Sequence, residues 1–197
     1  MIDEISVASP LVPFHGDILL VSTPFISEGS LLNADLPVKD SQLVLRPSEA
    51  GDEGFLYRVY ASTRSDEMAL LDWTAEQKTA FLNMQFNAQR GHYRTHFPNA
   101  EYQIIQRQGL PIGRLIVDRS KDPLLLMDIT LLPEYRNAGI GRIIIHDLLA
   151  EAAGRNWSVC LHVEAFNPAM RLYERLGFVK TAEQGIYHEL RWQPEAE

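Results

Sequence analysis

From Gln42 onward, apolar positions recur with the periods of regular secondary structure; over the first forty residues they show no sustained helical or alternating pattern. Leu43-Val44-Leu45-Arg46-Pro47 reads as a first strand, followed by a helical stretch over about 52–61. Thr74-Ala75-Glu76-Gln77 has the form of a capping box and predicts a helix to about Gln89 with Phe81, Met84 and Ala88 on one face. Tyr102-Gln103-Ile104-Ile105 and the run 112–117 flank Gln108-Gly109, a hairpin signal because glycine tolerates positive φ. A third apolar run spans 124–132. Beyond a glycine-containing turn the pattern predicts a helix over 140–153, a strand over 159–164, a helix over 168–176 and two short closing strands. The order β-α-α-β-β-β-α-β-α-β-β mixes antiparallel hairpins with one β-α-β crossover, so the expected class is α+β (mixed α/β) rather than doubly wound.

Composition narrows this. With 197 residues, 46% of them hydrophobic, the chain is sized for one domain and a short appendage. Residues 1–40 hold four prolines and six acidic residues against one lysine, and are expected to be an N-terminal extension. Within them Ile18-Leu19-Leu20-Val21 is a candidate short strand. The domain proper is expected over 41–197. A net charge of -8 disfavours sequence-independent binding to a phosphate backbone, so no nucleic-acid partner is expected. Cys160 is the only cysteine, which excludes an intrachain disulfide and fits a reducing, cytoplasmic setting. The start Met1-Ile2-Asp3-Glu4 is acidic where a signal peptide would be basic, and no apolar run approaches the roughly 20 residues that span a bilayer. A soluble protein without membrane insertion is expected.

The stretch richest in chemistry is 128–142. An apolar run ends at Pro133, a tight turn carries Ala138, Gly139 and Gly141, and a helix opens with Ile143, Ile144 and Ile145 behind it. Small residues let a ligand approach the backbone, and the unpaired amides of a helix start favour an anion. Arg136 and Arg142 at the rims could add charge to a pyrophosphate. A dinucleotide fingerprint needs a third glycine where Ile144 stands, and a Walker loop needs Lys-Ser/Thr where Arg142-Ile143 stand. A plain glycine turn is the remaining alternative. Further on, Asn167 is suited to an N-cap, Pro168 to the first helical position and Gly177 to a left-handed helix end, while Tyr173 falls on an apolar helical stripe.

These two segments resemble the GNAT superfamily of N-acetyltransferases. Arg136-x-x-Gly139-x-Gly141 after Pro133 is similar to that family's acetyl-CoA pyrophosphate loop, and the run from Asn167-Pro168 through Tyr173 to Gly177-Phe178 to its second motif. The resemblance covers about 43–192. It implies a central mixed β-sheet splayed between the strand ending near Leu132 and the strand 159–164, flanked by helices. It implies acetyl-CoA as co-substrate, held by the backbone of Thr130, Leu131 and Leu132, by the loop Arg136, Asn137, Ala138, Gly139, Ile140, Gly141 and Arg142, and by Asn167. A backbone amide near Leu131 would polarise the thioester carbonyl. Direct attack by a neutral amine in a ternary complex would need no acyl-enzyme, leaving Cys160 a mid-strand residue. An alkylamine with a pKa near ~10.4 is mostly protonated at neutral pH, so a proton acceptor is needed. Tyr173 is the implied general acid. Asp128 is the candidate base, with Glu164 and His162 as alternatives; regular alternation would put Asp128 on one face with Leu126 and Thr130 and turn Leu131 away.

His92 and His96 have helical zinc spacing, but no adjacent acid completes that pattern and Pro98 signals a helix end, so no metal is expected. The resemblance implies that Tyr93, His96 and Phe97 are candidates for the border of an acceptor pocket, with packing of a surface loop as the alternative. The expected function is N-acetylation of a primary amine, on a small molecule or a peptide, with a homodimer as a compatible assembly. The alternative is a non-catalytic acyl-CoA-binding or protein-interaction module of the same fold.

Overall fold

A computed structural model describes residues 42–195. The extension 1–40 and its candidate strand at Ile18–Val21 lie outside the described residues. Seven strands form one sheet in the order β1-β2-β3-β4-β5-β7-β6. They are β1 (Leu43–Pro47), β2 (Ala100–Arg107), β3 (Leu110–Asp118), β4 (Leu124–Leu131), β5 (Val159–Glu164), β6 (Val179–Gln184) and β7 (Tyr187–Trp192). Every neighbouring pair is antiparallel except β4 and β5, which the crossover helix forces to run parallel. The class is therefore the expected mixed α+β one.

Helices α1 (Glu53–Ser62), α2 (Ser65–Ala69) and α3 (Ala75–His96) lie before β2; α4 (Ile140–Gly154) and α5 (Met170–Arg175) flank β5 in sequence. Ile144, Ile145, Leu148 and Tyr173 pack with Leu124, Leu126, Ile129, Leu161 and Val163 in the main core on one face of the sheet. On the other face Phe55 and Val59 of α1 cover Ile104, while Tyr93 of α3 packs on Ile116 and Met127. No helix among the described residues is long and apolar enough to cross a membrane.

The capping box forms as expected: Gln77 N–H donates to Thr74 Oγ1 and Thr74 N–H donates to Gln77 Oε1 at 2.8 Å. The helix it starts runs past Gln89 to His96, and its buried side chains are Leu82, Phe86 and Tyr93 rather than the predicted Phe81-Met84-Ala88 stripe. Met84 is 55% exposed. The reason is tertiary: Tyr57 and Tyr60 of α1 meet Phe86 at ring separations of 5.8 and 5.6 Å, which rotates that face inward. The hairpin turn is as expected, with Gln108 and Gly109 both at positive φ.

A bulge sets the faces near the centre of the sheet. Ile116 pairs with Asp128 but Val117 with Leu126, so Met127 is the extra residue in β4. Met127 and Asp128 consequently both leave the main core, and Asp128 does not share a face with Leu126 as regular alternation predicted. Asp128 is fully buried and pairs with Arg114 of β3, itself 3% exposed. Arg114 Nε and Nη2 donate to the two carboxylate oxygens at 3.2 and 2.7 Å; Thr130 Oγ1 donates to Oδ1 at 2.8 Å. Nη2 also donates to Gln89 Oε1, tying α3 to the pair.

Removing one member of such a pair strands a buried charge. Arg114→Met is expected to cost about 3–5 kcal/mol and to lower Tm by roughly 10 °C. The double variant Arg114→Met/Asp128→Leu should recover most of that loss in the same calorimetric scan, because the desolvation of both ions is removed together.

Candidate active site

The parallel pair β4–β5 is joined only at Leu124↔Val159 and Leu125↔Cys160, although β4 continues to Leu131 and β5 to Glu164. The two strands therefore fork, and the facing edges beyond Leu125 and Cys160 carry backbone groups with no strand partner. Leu132 N–H donates to Ile112 O at 2.9 Å, towards β3. Thr130 follows the same parity: its carbonyl lies against Gly113 of β3, where any Cβ would collide with it. Backbone direction alternates along a strand, so Leu131 and Ile129 turn their amides into the fork. Of the three strand residues expected to pair with a pantetheine arm, Leu131 alone is so aimed; Thr130 and Leu132 face β3.

Beyond β4 a 3₁₀ turn over Pro133–Tyr135 leads into the loop. Asn137 and Gly139 both take positive φ, 61° and 75°, and Gly139 is the N-cap of α4. Asn137, Ala138 and Gly139 are exposed, as is the Arg142 side chain. The first bond closed at this helix end is Ile143 N–H to Gly139 O, so the amides of Ile140, Gly141 and Arg142 have no intrahelical acceptor. A Cβ at Gly139 or Gly141 would meet nothing within 4 Å. Open space, unpaired amides and the positive dipole end give this loop the chemistry to hold an anion.

Arg136 departs from its expected part. Its Nε donates to Leu131 O at 2.9 Å, and its Nη2 donates to Ser62 Oγ at 3.0 Å and to Ser62 O at 3.3 Å. Desolvation draws its pKa below the ordinary arginine value. The side chain turns inward and ties the end of β4 to the end of α1, which leaves Arg142 as the exposed cation of the loop. Asn167 also differs: α5 begins at Met170 with Ala169 as N-cap, and Asn167 Oδ1 accepts from Ala169 N–H at 2.9 Å in the preceding turn. Gly177 has the expected left-handed conformation, φ 87°.

Tyr173 is fully buried, its ring set edge-on to Phe178 at 5.6 Å. Its hydroxyl has no hydrogen-bond partner among the described residues. Burial first, and then the negative charge of Asp128, push its pKa far above the ordinary phenol range. Asp128 was the candidate base, yet both of its oxygens are already engaged by Arg114 and Thr130. Burial opposes the Arg114 charge, and the adjacent carboxylate more than offsets it. The arrangement makes Asp128 an anchor of the bulged strand rather than a free proton acceptor.

Cys160, His162 and Glu164 point to the face opposite α4, where they oppose Arg191, Glu189 and Tyr187 of β7. Burial pushes the Cys160 thiol up to about 11, which suits an inert mid-strand residue. Glu164 stands opposite Tyr187, whose pKa is raised by burial and then by the Glu164 charge. His162 is drawn below the ordinary imidazole value by burial, partly countered by Glu189.

The expected acceptor border divides in two. Tyr93 and Arg114 line a cleft of about 570 Å³ between α1, α3 and β2. His96 and Phe97 instead line a groove with Asp118 and Leu125, at the joined end of β4 and roughly 20 Å along the strand from Leu131. His96 Nδ1 donates to His92 O at 3.0 Å. Arg114 was missed in the sequence, although a signal existed: one cation and one anion, Arg114 and Asp128, interrupt two successive apolar runs.

Residues 98–180 match the family model described as an acetyltransferase (GNAT) domain. A 71-residue stretch is 38% identical to the cysteine-rich protein 2-binding protein of Mus musculus, covering 36% of this chain and 9% of that protein. The chain thus spans under a tenth of the length of the curated relatives it matches. Among solved structures, the PaiA N-acetyltransferase of Thermoplasma acidophilum in complex with coenzyme A is similar with a TM-score of 0.59, at 14% identity over 77% of this chain and 98% of that one. The spermidine N-acetyltransferase of Vibrio cholerae, with CoA and spermine, has a TM-score of 0.54 at 22% identity over 78% and 96%. Forked sheet, glycine-containing loop and sequence match agree: residues 98–180 match the acetyltransferase (GNAT) domain model, and the chain has the fold of these N-acetyltransferases.

Proposed function

We propose that the protein moves the acetyl group of acetyl-CoA to a primary amine by direct attack in a ternary complex. The observation that carries this reading is the Tyr173 hydroxyl, sealed from solvent and without a partner beside the fork. An orphaned buried donor costs about 1–3 kcal/mol, a cost that a role towards a bound ligand explains. The loop amides of Ile140, Gly141 and Arg142 would hold the pyrophosphate, and the Leu131 amide would donate to the thioester oxygen as charge develops there. Tyr173 would protonate the leaving sulfur. The acidic chain, net -8, favours approach of a cationic acceptor, and the Vibrio cholerae relative crystallised with spermine handles such a molecule.

A second reading, a non-catalytic acyl-CoA-binding or interaction module, draws support from the match to a protein named for binding another protein. The Tyr173→Phe variant separates the two. It keeps the ring and deletes the proton donor, so turnover should fall 10²- to 10⁴-fold while acetyl-CoA affinity and Tm stay near wild type. Turnover within about threefold of wild type in a single-turnover measurement would remove the general-acid role. Detection of no acetylated product by mass measurement across a panel of amines would favour the module.

Acetyl-CoA at one hundred times its dissociation constant should stabilise the protein by ~2.7 kcal/mol and raise Tm by roughly 5–10 °C. Gly141→Val should abolish that rise without unfolding the chain, since the space around Gly141 is open. A preserved shift would place the pyrophosphate elsewhere. We further propose that 1–40 is an extension separable from this site; a chain truncated to 41–197 should show the same acetyl-CoA shift, and loss of the shift in a folded truncation would assign the extension to the domain.

A further inference from the structure

Acetyl transfer to an ammonium requires a proton acceptor, and the three candidates differ in what already occupies them. Asp128 is engaged by Arg114 and Thr130, and Glu164 stands opposite Tyr187, with no carboxylate or imidazole partner among the described residues to orient it. His162 is different. Its Nε2 lies 3.6 Å from Glu189 Oε2, the two side chains being 20% and 27% exposed. Its Nδ1 is buried with no partner among the described residues. Glu189 is in turn fixed by Thr181 Oγ1, which donates to Glu189 Oε1 at 2.5 Å.

A carboxylate on one side of an imidazole favours the tautomer with its proton on that side, leaving the lone pair on the other nitrogen. Here that nitrogen is Nδ1. His162 stands two residues past the last β4–β5 pair, on the sheet face that carries Asp128. The groups sharing that face are Cys160 and Glu164 on β5, Tyr187, Glu189 and Arg191 on β7, and Asp128 across the fork. Tyr173 and His162 thus present two sealed, unpartnered polar atoms, one from α5 and one from β5.

We infer that His162 Nδ1 is the proton acceptor for the amine and that Glu189 is its positioning residue, an inference that rests on the acetyl-transfer reading above. The ammonium gives one proton to Nδ1, and Glu189 stabilises the resulting imidazolium. The neutral nitrogen then forms the bond to the acetyl carbon as the carbon–sulfur bond breaks. Sulfur takes a proton from Tyr173, the second proton lost by nitrogen restores Tyr173, and His162 returns its proton to water. The products are an amide, a thiol and one released proton.

The test uses the full chain. NMR titration of the His162 ring in the free protein should give a midpoint below that of an ordinary imidazole, and Glu189→Gln should move it lower still; coenzyme A should perturb the same signal. With an amine that the wild type acetylates, His162→Gln should lower kcat/KM 10²- to 10⁴-fold and abolish the acidic limb of the pH profile, with the acetyl-CoA thermal shift unchanged. Glu189→Gln should displace that limb to lower pH. An unchanged limb in His162→Gln, or a His162 midpoint indifferent to Glu189→Gln, overturns the inference and leaves acetyl transfer standing. Absence of transfer by the wild type to any amine in the panel overturns the broader reading instead.

Discussion

The fork depends on a buried ion pair. Arg114 and Asp128 are almost wholly withdrawn from water, and each ion loses several kcal/mol of solvation on burial. Two guanidinium hydrogen bonds, the Thr130 hydroxyl and Gln89 offset that loss only if β3 and β4 keep the register in which Ile116 faces Asp128. A slip of one residue would turn Asp128 towards Ile144 and Leu161 without a counter-ion. Apolar residues could fill the same space with comparable stability; what they could not do is penalise the wrong register so heavily. The Met127 bulge and the ion pair therefore act together, and they fix which amides of β4 face the opening.

The loop inherits its position from that strand. Arg136 closes the Leu131 carbonyl and reaches Ser62, so the end of β4, the start of the loop and the end of α1 move as one unit. With the Leu131 carbonyl satisfied from within, its amide is left to meet a ligand. The Arg136 charge is thus committed to geometry, and what the loop offers an anion is the backbone of Gly139 to Arg142 and the helix dipole.

Most of this architecture was legible because it is local. A capping box, a Gln108-Gly109 turn and a Pro133-to-Gly141 strand–turn–helix announce themselves over a few residues. The Leu82-Phe86-Tyr93 face of α3 was not legible, because tyrosines of α1 far away in the chain decide which side is covered. The Met127 bulge carries no glycine and breaks the alternation without a local sign. Without the bulge, Asp128 reads as a free carboxylate on a regular strand; with it, the residue meets Arg114. Tyr173 reads as plain core from its apolar stripe, and the structure does bury it in the main core. Only its unpartnered hydroxyl sets it apart.

A phenol that holds its proton as tightly as Tyr173 does would be a poor acid towards a thiolate in water, whose thiol has a pKa near ~8.5. The same burial changes the acceptor. Cys160, on the strand that borders the fork, shows what this interior does to sulfur: desolvation pushes its thiol up to about 11. A leaving thiolate withdrawn from water would be destabilised for the same reason, and its demand for a proton would rise with the tyrosine's reluctance to give one. Burial disfavours the anion of a phenol and of a thiol alike, so it shifts both in the same direction. Asp128 then adds a sign. Its charge opposes a second negative charge on Tyr173. Burial and the Asp128 charge thus act in the same sense, and both disfavour a phenolate at this position.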